Sequence, residues 1–121
     1  MILYRVQDKS GRGPWRPGFS HEWADPTKDI SLCPPMIEEL PDWRRSVARH
    51  PWLTHLGCCV HGLRGVHRWF TPVEIDRLRA LGFHLVDASG MTPICIGESQ
   101  VLAGSRFPLS YLPVVDWVAA E

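Results

Sequence analysis

TPVEIDRLRALGFHLV, residues 71–86, decides the fold. Thr71 is a helix N-cap, Pro72 suits the first helical position, and Glu74 stands where its carboxylate can reach back to the cap, a capping box. Ile75, Leu78 and Leu81 then share one apolar face, with Asp76, Arg77 and Arg79 turned outward. Gly82 falls where a helix ends in a left-handed turn. The spacing predicts a helix over 72–81 followed at once by a strand over 83–86.

Working outward, Gly62–Phe70 places Leu63, Val66 and Phe70 on one side at helical spacing, weakened by Gly62 and Gly65. Pro41 opens a short helix over DWRRSVARH, closed by Pro51, in which Trp43 and Val47 share a face. Downstream, strands are expected at 93–96 and 99–102. The tail LSYLPVVDWVAAE is apolar enough to pack on the core, with Pro113 setting a bend or an edge. Upstream, residues 2–7 read as a strand. Residues 8–35 carry Pro14, Pro17, Pro26, Pro34 and Pro35, too much proline for regular structure. The expected fold is one α+β domain over 1–121, a small mixed or antiparallel sheet with two or three short helices and a long Pro/Gly-rich N-terminal loop.

With 121 residues, 45% of them apolar and 21% charged, the chain has enough material for one core. Thirteen basic and thirteen acidic residues cancel, which argues against a general nucleic-acid binder. No run approaches the roughly 20 apolar residues of a membrane span. MILYRVQDKS lacks the basic start and apolar run of a signal peptide. Cys33, Cys58, Cys59 and Cys95 show no secreted disulfide spacing, so a reducing, cytoplasmic setting is expected.

The long loop is the prime candidate for recognition. It is flanked by Arg5 and carries Arg12, Arg16, Trp15, Trp23, Phe19 and His21; Arg and Trp are the side chains most enriched in binding hot spots. Trp15 and Trp23 could equally pin the loop to the core. Gly11, Gly13 and Gly18 do not form a nucleotide fingerprint, because no helix follows them. Asp8, in Asp-Lys-Ser-Gly, reads as an Asx-type turn former.

Five further residues invite a metal or nucleophile reading. His55 and Cys58 have a zinc-like spacing, while Cys59 and His61 would crowd the first pair. Cys58 or Cys59 with His61 or His67 could also form a thiol–imidazole pair. A buried GCC run is the simpler alternative, and no metal is expected. Glu98 and Gln100, at the start of a late strand, could face Arg5 across the sheet.

Two blocks, LYRVQDKSGRGPWRPGFSHEW and CCVHGLRGVHRWFTPVEIDRLRALGFHLV with the later GESQVL, resemble small bacteriophage and prophage accessory proteins. That resemblance implies a protein that binds and inhibits a host protein, a CRISPR-type defence complex being one target class, and that needs no catalytic centre; a zinc-stabilised structural or virion-associated protein is a further alternative. The element order also resembles a miniature ADP-ribosyltransferase scaffold, without its middle Ser-Thr-Ser-type motif. This second likeness implies that Arg5 orients NAD and that Glu98 or Gln100 occupies the catalytic-carboxylate region. No cofactor is expected outside it.

Overall fold

The computed structural model describes residues 1–117. Six strands, β1 (Leu3–Gln7), β2 (His55–His61), β3 (His84–Asp87), β4 (Thr92–Ile96), β5 (Val101–Ser105) and β6 (Val114–Val115), form one sheet in the order β4-β5-β2-β1-β3-β6. Every neighbouring pair is antiparallel. Four α-helices accompany it: α1 (Met36–Glu39), α2 (Trp43–Ala48), α3 (Gly62–Trp69) and α4 (Pro72–Ala80). The α+β class holds, with one helix more than expected. No helix among the described residues is long and apolar enough to cross a membrane.

The capping box of α4 forms as its sequence dictates: Thr71 Oγ1 accepts from the Glu74 N–H, and Glu74 Oε1 accepts from the Thr71 N–H. Gly82 takes φ +89°, a left-handed conformation that only glycine adopts without strain. Ile75 and Leu78 are buried, but Leu81 closes the helix and is exposed. The last predicted strand starts two residues late, at Val101, because Ser99 and Gln100 are held by Glu39 before the ladder begins. Val114 and Val115 make Pro113 the entry to an edge strand, and residues 118–121 of the predicted tail lie outside the described residues.

Alternation along the strands feeds two cores. Val6 and Val60 face α3 and α4 with Trp23, Trp69, Phe70 and Phe83. Leu3, Cys59, Val101 and Ala103 point the other way, onto Met91 and Leu109.

The two central strands part company. β1 and β2 pair only at Leu3–His61 and Tyr4–Val60. Beyond that point β1 continues along β3 to the Gln7–His84 pair, while β2 continues along β5 to His55–Ser105. The sheet is therefore forked, and the fork needs filling.

Candidate functional site: a cleft at the fork of the sheet

Arg5 fills the fork. Its Nη1 donates to the Cys58 carbonyl at 3.0 Å, Nη2 to the Gly11 carbonyl at 3.1 Å, and Nε to Gln7 Oε1 at 3.0 Å. The Gln7 amide is itself fixed by donating to the Leu109 carbonyl at 2.7 Å. Room for the guanidinium comes from Gly57, where an added Cβ would lie 3.0 Å from Arg5 Cζ and 2.9 Å from Leu109 Cδ1. All three Arg5 acceptors are uncharged, and no carboxylate among the described residues reaches ion-pair distance of it. Burial lowers its proton affinity, and nearby Cys59, Cys58 and Asp8 oppose that. A guanidinium stays charged regardless.

A cleft of about 790 Å³ opens between this fork and the N-terminal loop. Tyr4, Val6, Cys58 and Val60 line its sheet side, Met36 and Cys33 one flank, and Trp69 and Phe70 the base of α3. The loop contributes the opposite wall through Arg12, Gly13, Pro14, Trp15, Arg16 and Pro17. Arg5, Pro35, Cys59 and Gln100 complete the lining, in which no Asp or Glu appears among the described residues. An apolar, aromatic cavity with three arginines and no carboxylate suits a flat anionic ligand.

The wall is rigid for identifiable reasons. Asp8 Oδ1 accepts from the Ser10 and Arg12 N–H groups, forming the predicted Asx turn. Burial resists ionisation of Asp8, but these bonds and the Arg16 charge together hold its carboxyl below the usual value. Trp23 donates its indole N–H to the Pro14 carbonyl at 3.1 Å and packs against Trp15 edge-on, with centroids 4.6 Å apart. Arg16 stacks over Phe19, 4.3 Å from the ring centre. Its Nε is buried with no hydrogen-bond partner among the described residues, and its Nη2 reaches Asp8 Oδ2 at 3.8 Å.

The seven predicted recognition residues divide. Arg5, Arg12, Trp15 and Arg16 line the cleft, with Trp15 49% exposed. Trp23 is wholly buried and belongs to the core, because its ring is needed between Trp15 and Phe70. Phe19 is half-buried against Phe83 under Arg16, and His21 is exposed beside Glu22.

Of the transferase-like candidates, Gln100 reaches the cleft and Glu98 does not. The Glu98 side chain is 87% exposed and pairs with Arg68 at 3.4 Å.

The residues of the metal and nucleophile readings from His55 to His61 lie on strand β2. Neighbours on a strand point to opposite faces, so His55 and Cys58, three apart, cannot converge, nor can Cys58 and Cys59. Among the described residues no three His, Cys, Asp or Glu side chains group to hold a metal. His61 Nε2 instead lies 2.8 Å from the Gly97 carbonyl. Burial pushes the Cys59 thiol up to about 12, and it raises the Cys58 thiol against the opposing Arg5 charge. Thiols so placed are poor nucleophiles at neutral pH.

Sequence reasoning missed Met36, Glu39 and Lys28. Pro34-Pro35 followed by Met-Ile-Glu-Glu is a helix start with acids in its first turn, and that signal would have found Glu39. The class defined here is an α+β domain with an arginine-lined cleft at a forked antiparallel sheet. Comparison with models of protein families, with curated proteins and with solved structures finds no match.

Proposed function

We propose that the protein binds a dinucleotide of the NAD type in this cleft, on a scaffold resembling a minimal ADP-ribosyltransferase. The observation that carries the reading is that Arg5 of β1 and Gln100, just before β5, line one cavity. Its 790 Å³ lies within the range of small-ligand sites. Arg12 and Arg16 suit a pyrophosphate, since guanidinium groups match phosphate oxygens two at a time. Trp15 and Tyr4 offer flat apolar surface to a base, and such stacking contributes about 1–3 kcal/mol per base. Gln100 is a neutral amide and cannot supply the full negative charge of a carboxylate. The reading is accordingly one of binding first, with transfer to a protein as the activity to assay.

Calorimetric titration with NAD and with ADP-ribose tests it. Wild type binds at micromolar to millimolar ligand, and Arg12→Ala and Trp15→Ala each weaken binding at least several-fold without unfolding the domain. No binding at millimolar concentration of either ligand overturns the reading.

A second reading, capture and inhibition of a host protein in the cytoplasm as the phage resemblance implies, is favoured by Arg12, Trp15 and His21 being exposed on the loop. Tagged protein and its Trp15→Ala and His21→Ala variants, used side by side to capture partners from a bacterial host, separate the two. A partner retained by wild type and lost by both variants supports capture. Equal recovery with all three overturns the loop as its surface.

A further inference from the structure

Gln100 is 3% exposed, yet only half of its amide is used by the protein. Its Nε2 donates to the Pro34 carbonyl at 2.9 Å and to Glu39 Oε2 at 3.2 Å. Both partners are acceptors only, so the amide must present nitrogen to them and oxygen away from them. Among the described residues its Oε1 has no hydrogen-bond partner. Among the described residues the single buried side-chain atom sealed without a partner is Arg16 Nε, so Gln100 Oε1 is not closed off. The residue lines the cleft, so an oxygen that is not sealed has that space to open into.

Glu39 is itself fixed. Oε1 accepts from the Ser99 N–H at 2.6 Å and from the Ser99 hydroxyl at 2.8 Å, while the same hydroxyl lies 2.6 Å from Oε2. A side chain at position 97 would displace it, since a Cβ on Gly97 would lie 2.8 Å from Glu39 Cδ and Oε1. The carboxylate thus meets the Gln100 amide in one place.

We propose that Glu39 is a positioning residue that locks Gln100 with its carbonyl oxygen in the cleft, so that the site selects a ligand donating a hydrogen bond there, a hydroxyl or amino group, beside the anion held by the arginines. This rests on the dinucleotide reading for the identity of the ligand, where the donor is a ribose hydroxyl. The orientation of the amide stands without it.

Two measurements decide. In nitrogen-15 spectra, the Gln100 side-chain N–H₂ pair, assigned by its loss in Gln100→Met, exchanges slowly with solvent in wild type and fast in Glu39→Ala. Exchange in wild type as fast as in an exposed glutamine overturns the lock. Affinities are then compared for ADP-ribose and its analogue lacking the terminal ribose hydroxyls. Wild type prefers the hydroxylated ligand by about three- to tenfold, the worth of one hydrogen bond. Gln100→Met abolishes the preference, Glu39→Ala reduces it, and Glu39→Gln retains part of it. Equal loss of both ligands in Glu39→Ala assigns Glu39 to the fold alone and overturns the proposal. Should neither ligand bind wild type, the dinucleotide reading falls, and the exchange measurement still decides the lock.

Discussion

Lys28 Nζ lies 3.0 Å from Glu74 Oε1; the Glu74 side chain is wholly buried and that of Lys28 only 9% exposed. Lys28 also donates to the Trp69 carbonyl at 2.6 Å, while Glu74 Oε2 accepts the Asp25 N–H at 3.0 Å. The carboxylate that completes the α4 cap therefore also anchors the long loop, two tasks for one side chain. Arg77 adds a third tie, donating to the Trp23 carbonyl at 3.3 Å. The proline-rich segment becomes a wall of the cleft because α4 holds its far end.

Removing Glu74 leaves a buried ammonium without its partner, which typically costs about 3–5 kcal/mol. Glu74→Ala is expected to lower stability by that order in denaturant titration, and to open residues 24–28 to proteolysis. Loss of under about 1 kcal/mol, the range of an exposed pair, would mean that the loop is not anchored there.

Gly57 is the space that Arg5 occupies. Gly57→Ala puts a methyl 3.0 Å from Arg5 Cζ, against backbone-fixed β2. Overpacking of this kind costs about 1–3 kcal/mol. The variant is expected to fold, to lose stability within that range and to bind NAD at least tenfold more weakly, as read by calorimetry. Unchanged affinity would remove Arg5 from the binding surface.

Much of this fold was legible because its signals are local. Thr71-Pro72-Val73-Glu74 and Gly82 specify a helix and both its ends within twelve residues, and each forms as read. The central strand β2 was not legible. HLGCCVH has a glycine, two histidines and two cysteines where a strand normally shows branched apolar residues, and its pairing with β1 and β5 is made by residues far away in sequence. The fork depends on where that pairing stops, which no local pattern encodes. Arg5, Arg12, Trp15 and Arg16 could be selected by type alone, whereas the burial of Trp23 follows from Phe70 and Pro14 closing around it.

Burial disfavours the ionised form of Glu39, but hydrogen bonds from Ser99 and Gln100, with the Arg68 charge, outweigh it and hold the carboxyl below its ordinary 4.5. A carboxyl depressed on folding contributes stability above its unfolded value and loses it as pH falls through the folded one. Wild type is thus expected to lose stability below pH 4.5 more steeply than Glu39→Gln, which has no proton to gain. Parallel melting curves against pH for the two proteins would remove this contribution.

Cys58 and Cys59 are adjacent and face opposite sides of β2; both border the cleft, but Cys58 is exposed beside Met36 while Cys59 is buried in the second core. Both thiols are raised by burial, Cys59 to about 12, so neither reacts fast at neutral pH. Site-resolved mass spectrometry after iodoacetamide treatment is expected to find Cys58 modified slowly, faster as pH rises, and Cys59 untouched until the protein unfolds. If the dinucleotide binds as proposed, saturating NAD is expected to slow the reaction at Cys58, which lines the same cavity. Modification of native Cys59 at the rate of Cys58 would contradict the register of β2. Reaction at Cys58 unaffected by NAD that is shown to bind would place the ligand outside the cleft.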